Sequence, residues 1–323
     1  MPSRLETIQM NPLSSSDESL AACLGAILSA CGTPVPYDEL ITALGTAFMV
    51  SYAPDAPAAM QWDFFGRHAF LVETAQMYGL ELRGLHPPDA APAPPLPREF
   101  DLHYHDSYLP LIRTSLARDE PLLAWMGWAT GQADWGVITS LRDDRCAGIT
   151  PVGPAELIAS PVQIYQFSGF NPPQTNPDEL LDTVIRRARI ILGNQLDPAF
   201  QVITGPRAIQ AWRPILAAPS KHLSETHARN FKRCLQNMVD GRLAVARIFA
   251  NLREVAAARH LSVIEAWLET FETSNGGLLP WRDAALLDDA FSSDSTLAHL
   301  KPLVDLMEEN EAMAAEIVGV TRG

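Results

Sequence analysis

The stretch from Pro121 to Val152, PLLAWMGWATGQADWGVITSLRDDRCAGITPV, limits what this chain can fold into more than any other, because it reads as two buried strands and the start of a third. The first strand is Leu122 to Trp128, the second Trp135 to Leu141 and the third Gly148 to Val152, with apolar and aromatic residues dominating the first two. Asp143 and Asp144 supply the hairpin turn between the second and the third. Strands joined so closely pair antiparallel.

Helical patterns precede this hairpin. In DESLAACLGAILSA the residues Leu20, Cys23, Leu24, Ile27 and Leu28 recur at helical spacing, with a Ser/Asp run before them as cap and Cys31-Gly32 after them as stop, which predicts a largely buried helix. A second helix is expected from about Tyr37 to Leu44, and after Gly45 the run AFMVSY predicts a short strand. A helix from about Arg67 to Tyr78 closes at Gly79 and leads into a strand carrying Leu80, Leu82 and Leu85. The proline density of PPDAAPAPPLP excludes a regular helix or a central strand there. A helix from about Ser107 to Arg118 then presents Leu109, Ile112 and Leu116 on one face before the hairpin begins. A helix near Pro154 and a strand over VQIYQF complete this half. Helices first and a run of strands after them indicate an α+β domain with an antiparallel sheet.

Composition shifts at GFNPPQTNPDE, where prolines, asparagines and a helix-starting Asp178-Glu179 mark a boundary between residues 1–173 and 174–323. Beyond it DELLDTVIRRARIIL, PRAIQAWRPILA, the long run from Ser224 to Arg259, LSVIEAWLETFET and LAHLKPLVDLMEENEAMAAEIV each carry an apolar stripe at spacings of three and four. An all-α helical domain is expected from them.

A net charge of -14 repels phosphate backbones and anionic lipid heads, so no nucleic-acid and no membrane partner is expected. Arg229, Lys232, Arg233, Arg242, Arg247 and Arg253 gather on the longest helical run, where they either dock an anionic partner or form a solvated face with ion pairs. The N-terminus lacks the basic and then apolar run of a secretory signal, and a cytoplasmic location is the expectation. Cys23, Cys31, Cys146 and Cys234 have no Cys-x-x-Cys spacing and are expected reduced. Without a phosphate loop, a dinucleotide fingerprint or a His-Glu-x-x-His pattern, no cofactor and no metal are expected. His103 and His105, flanked by Asp101 and Asp106, would share a face in a strand and could there bind a metal or supply a base; in a loop they are surface.

The opening helix SLAACLGAILSACG followed by PVPYDELITALGTAFMVSY, and then the order PLLAWMGW, WGVITSLRDD and GITPV, resemble papain-like proteins over roughly Met1 to Phe170. Two groups are similar: the bacteriocin-processing cysteine peptidases and the butirosin-biosynthesis acyltransferase group. The resemblance implies an N-terminal helix packed on an antiparallel sheet. It also implies a catalytic Cys at the helix start, a His at the start of the second strand and an Asp or Asn before the Pro that ends the third. A helix N-terminus favours thiolate, the imidazole holds the proton, and the carboxylate or amide orients the ring. At those positions this chain has Ser19, Trp135 and Thr150.

Two functional readings follow. In the first, the chain keeps the papain-like fold without its chemistry and binds a small molecule, a peptide or a protein, with Ser19, Trp125, Trp128, Trp135 and Thr150 lining a cleft, unless the tryptophans are core and Ser19 is a helix cap. In the second, it is a cysteine-dependent acyltransferase or amide hydrolase with Cys23 as nucleophile and His105 or another distant His as base, unless Cys23 is an inert core thiol; Ser19 is a separate nucleophile candidate, with helix capping as its other role. A further possibility is an interaction protein whose helical half matters most. Oligomeric state is left open by all three.

Overall fold

The computed structural model describes residues 3–10, 19–52, 69–85, 104–125, 127–130, 135–158, 161, 163–171, 176–195, 202–217, 225–272, 275–282 and 300–320. In chain order the helices are α1 (Arg4–Thr7), α2 (Ser19–Ala30), α3 (Tyr37–Leu44), α4 (Ala69–Met77), α5 (Leu109–Ala117), α6 (Pro177–Leu192), α7 (Pro206–Leu216), α8 (Glu225–Leu252), α9 (Ala258–Phe271) and α10 (Leu300–Ile317). The strands are β1 (Ser51–Tyr52), β2 (Leu80–Gly84), β3 (Leu122–Trp125), β4 (Trp135–Arg142), β5 (Arg145–Thr150), β6 (Gly153–Glu156), β7 (Gln163–Phe170) and β8 (Ile203–Thr204). The chain divides into two units: residues 1–40 with 65–175, and residues 41–64 with 176–323. Where the sequence suggested one cut near residue 173, the chain also changes unit at the middle of α3 and again after Phe64.

The first unit is α+β. Its six strands form one antiparallel sheet in the order β2-β7-β3-β4-β5-β6. β3 lies at the middle of this sheet and all four of its residues are buried, so both faces must be covered. Antiparallel partners share a face. Leu122, Ala124, Ile138 and Ile164 form a core with Tyr108 and Ile112 of the segment that includes α5. Trp125, Trp135, Leu123, Val137 and Tyr165 lie on the other face by register.

Asp143 and Asp144 both take left-handed φ values of 48° and 64° in the β4–β5 hairpin, as a two-residue turn between right-twisted strands requires. The helix expected near Pro154 is a strand instead: Pro154 sits in β6, the last strand of the sheet, where a residue without an N–H is tolerated. β3 is also shorter than expected. It ends at Trp125, and Trp128 makes an isolated bridge to Leu157 beyond Gly127, whose φ is 84°. The indole of Trp128 lies over Gly136, where any Cβ would fall inside the ring, and its Nε1–H donates to the Ala124 carbonyl at 3.2 Å.

Among its described residues the second unit is mainly helical and also holds the two-residue ribbon β1–β8, where the sequence suggested helices alone. The run AFMVSY begins in a 3₁₀ turn over Thr46–Phe48, and its strand is confined to Ser51–Tyr52. The long helical run breaks at 253–257, and the Asp178 carboxylate accepts the Ala257 N–H at 2.9 Å where α9 begins. Around Trp267 the rings of Phe48, Phe249 and Phe271 pack with centroids 5.4, 5.9 and 4.7 Å away.

Buried charge sits beside this aromatic cluster. Arg242 and Glu311 are wholly buried and pair with each other, and Arg242 Nη1 donates to the Ala47 carbonyl at 2.9 Å. That carbonyl can approach because Gly241 has no side chain to block it. Removing one partner of such a pair strands the other charge in the interior. Arg242→Ala should therefore lower unfolding free energy by about 3–5 kcal/mol, whereas Arg253→Ala, which deletes the exposed pair with Glu265, should change it by under about 1 kcal/mol. Urea denaturation of the two variants checks the contrast. In the first unit Gly136→Ala should cost about 1–3 kcal/mol in the same assay, because the Trp128 ring must shift.

Candidate functional site

The start of α2 and the start of β4 meet. Ser19 is 5% exposed, and its Oγ accepts the backbone N–H of Trp135 at 3.2 Å. This is where the papain-like resemblance would put a nucleophile beside an imidazole. Here the helix begins on a hydroxyl used as an acceptor, and the strand begins on an indole. Trp135 stacks on Trp125, with ring centroids 6.1 Å apart and planes 26° from parallel, and it also meets Tyr165 at 6.1 Å. Tyr165 Oη in turn donates to Gln163 Oε1 at 3.0 Å. The row Trp135, Trp125 and Gln163 crosses three neighbouring strands on one face.

The other expected lining residues do not join this row. Thr150 is buried, pairs with Gly153 and donates its Oγ1–H to the Gly153 carbonyl at 2.8 Å, so it closes the β5–β6 hairpin. Its neighbour Ile149 is paired with Val137, on the face of Trp135; strand alternation therefore sends Thr150 to the opposite face. Trp128 belongs to that opposite face too, in the core with Tyr108 and Ile112. Trp125, Trp128 and Trp135 are all buried, as core tryptophans are.

The two parts proposed for thiol chemistry are also apart. Cys23 lies one turn beyond Ser19, fully buried, with Sγ 3.9 Å from the Met10 sulfur. His105 is exposed in a π turn, Tyr104–Tyr108, with its ring edge-on to Tyr104 at 5.3 Å. Tyr104 and Tyr108 flank His105 and pack into the core of Leu122, Ala124 and Ile138, whereas Cys23 belongs to α2, whose start meets β4 at Trp135. His103, Asp101, Asp134 and His222 lie outside the described residues. Among the described residues no group of three His, Cys, Asp or Glu side chains could hold a metal ion.

Sequence reasoning missed two polar clusters. In the first unit Tyr104 Oη donates to the Asp144 carbonyl at 2.7 Å and touches Cys146 Sγ at 3.4 Å, and burial pushes the Cys146 thiol up from its ordinary pKa. Such a thiol is a poor nucleophile. In the second unit His260 is buried between two carboxylates one turn apart on α6, with Nε2 2.8 Å from Asp182 Oδ1 and Nδ1 3.4 Å from Asp178 Oδ1. Arg259 reaches Asp182 as well, at 2.9 Å. The Asp178–Asp182 spacing of four was legible in the sequence, but nothing there pointed to His260. The basic run on α8 is largely spoken for: Arg242 is paired with Glu311 and Arg253 with Glu265, and Lys232 and Arg247 have interactions of their own.

No family model matches the chain, and no match is found among curated proteins. Among the described residues no helix is long and apolar enough to cross a membrane.

Two measurements test these placements. Ser19→Ala should lower stability by about 1 kcal/mol, because the buried Trp135 N–H loses its acceptor; chemical denaturation reads it. The hydrogen bond from His260, followed by that from Arg259, holds the Asp182 carboxyl below its ordinary pKa of 3.8. A lowered folded-state pKa contributes stability that is complete above the unfolded value and lost as pH falls through the folded one. The stability difference between wild type and Asp182→Asn should accordingly close as the protein is acidified below the ordinary carboxylate range.

Proposed function

We propose that the first unit is a papain-like domain that has kept its fold without its thiol chemistry, and that the protein works as a binding module for a small molecule, a peptide or a protein partner. One observation carries this reading: Ser19 at the start of the opening helix accepts the N–H of Trp135 at the start of the second hairpin strand. Helix start and strand start come together as the papain-like layout asks, and neither supplies a thiolate or an imidazole. Acyl transfer by that layout needs a nucleophile, a base within hydrogen-bond reach and an orienting group. The orienting position holds Thr150, whose hydroxyl is committed to the Gly153 carbonyl.

The alternative, a transferase or amide hydrolase using Cys23 with His105, draws support from the same fold but not from the placement of the two groups. Cys23 is buried on α2, and His105 is exposed in the Tyr104–Tyr108 turn.

Mass spectrometry after treatment of the native protein with iodoacetamide and with a fluorophosphonate distinguishes the two readings. The expected result is no adduct on Ser19 or Cys23 at neutral pH, with Cys23 alkylated only after unfolding. A stoichiometric adduct on either residue of the folded protein would overturn the proposal.

A further inference from the structure

We propose that Glu311 and Arg242 form a pH-responsive lock in the second unit, in which Glu311 takes up a proton on the acid side and the hold of α10 on α8 tightens as it does. The two charges are unequally supported, although each leaves one buried polar atom without a hydrogen-bond partner among the described residues, Nε of Arg242 and Oε2 of Glu311. Arg242 keeps three supports besides Glu311: its Nη1 donates to the Ala47 carbonyl at 2.9 Å, and its guanidinium carbon lies 5.5 Å from the Trp267 ring centroid and 5.9 Å from that of Phe48. Aromatic faces stabilise a desolvated cation well. Glu311 has far less. One carboxylate oxygen accepts from Arg242, the other is buried with no hydrogen-bond partner among the described residues, and the side chain has no exposure to solvent. Removing charge from this pair therefore costs least at the carboxylate, and the cation keeps its carbonyl and its rings when Glu311 is neutral.

The surroundings contain little to oppose that protonation. From α8, Arg242 and the buried Cys234 are the titratable groups whose fields couple to Glu311. From α7, Arg213 is committed to Asp305 and Glu308 on the solvent side of α10. From α6, Arg189 donates to the Val318 carbonyl and the buried Arg187 to the Ala43 carbonyl. From α9, His260 faces Asp178 and Asp182, and the turn Asn275–Gly277 has no titratable side chain. Burial is the largest influence on Glu311 and outweighs Arg242, raising the carboxyl from 4.5 to about 7. A raised folded-state pKa gives stability that is complete below the unfolded value and is lost as pH rises through the folded one. The second unit therefore loses stability across the interval from 4.5 to about 7 through this one group.

Urea denaturation of the full chain and of Glu311→Gln, between about pH 5 and about pH 8, tests the lock. The ratio of the wild-type to the variant folding constant should fall by roughly 70-fold across that interval, because only the wild type must lose a proton from the packed carboxyl. Parallel pH profiles for the two proteins would overturn it. Infrared difference spectra of the wild type across the same interval give a second reading that does not need the variant to fold. A carboxylic-acid carbonyl band titrating near neutrality is expected, and its absence overturns the proposal.

Discussion

The first unit depends on a strand that has no solvent side. β3 is buried at every residue, and with β4 it presents large side chains on both faces of the sheet. Each face must then be covered by something apolar, because a sheet with bare tryptophans and leucines would lose the burial that holds it together. One face carries Trp125 and Trp135, with α2 meeting β4 at Ser19; the other takes Trp128, Tyr108 and Ile112. Gly136 serves the second face, since its missing side chain leaves room on β4 for the Trp128 indole. The same residues that make the hairpin a good core make it a poor place for an ionisable group.

The second unit solves a different problem, that of ionic groups in its interior. Arg187, Arg242 and Glu311 have no exposure, which is costly unless each finds partners. Two of the cations find main-chain carbonyls, Ala43 for Arg187 and Ala47 for Arg242, and both carbonyls lie in the segment 41–64 that belongs to this unit. A stretch far away in sequence is thereby tied to α6 and α8. The pairing of Ser51–Tyr52 with Ile203–Thr204 is part of the same attachment.

Much of the fold was legible because its signals are local. The stripe of Leu20, Cys23, Leu24, Ile27 and Leu28 makes a helix that ends with the Thr33 N–H on the Leu28 carbonyl, and Asp143-Asp144 makes a turn whatever the rest of the chain does. The errors came where local preference was overruled. Pro154 looks like the first residue of a helix, but the neighbouring β5 offers it an edge to pair on. The residues 253–257 contain no glycine or proline, yet the helix stops there, and the Ala257 N–H at the start of α9 goes to Asp178, 79 positions earlier. The candidate site was half legible in the same way. Order along the chain put Ser19 and Trp135 at corresponding positions, while the faces on which Trp128 and Thr150 fall depended on where strands end and on the pairing register, which one sequence does not display.

By itself the sequence determined the type of most elements, the antiparallel hairpin and the absence of Cys, His and Asp from the positions a papain-like layout would use. Those are properties of periodicity and residue identity, set by a 3.6- or 2-residue repeat and by the chemistry of single side chains. Tertiary structure alone decided that Ser19 meets Trp135, that Trp128 and Thr150 fall on the face opposite Trp135, and that Glu311 faces Arg242 inside the second unit. The first and the last join residues far apart along the chain, and such contacts follow from the competition of whole faces for burial, which no local pattern encodes.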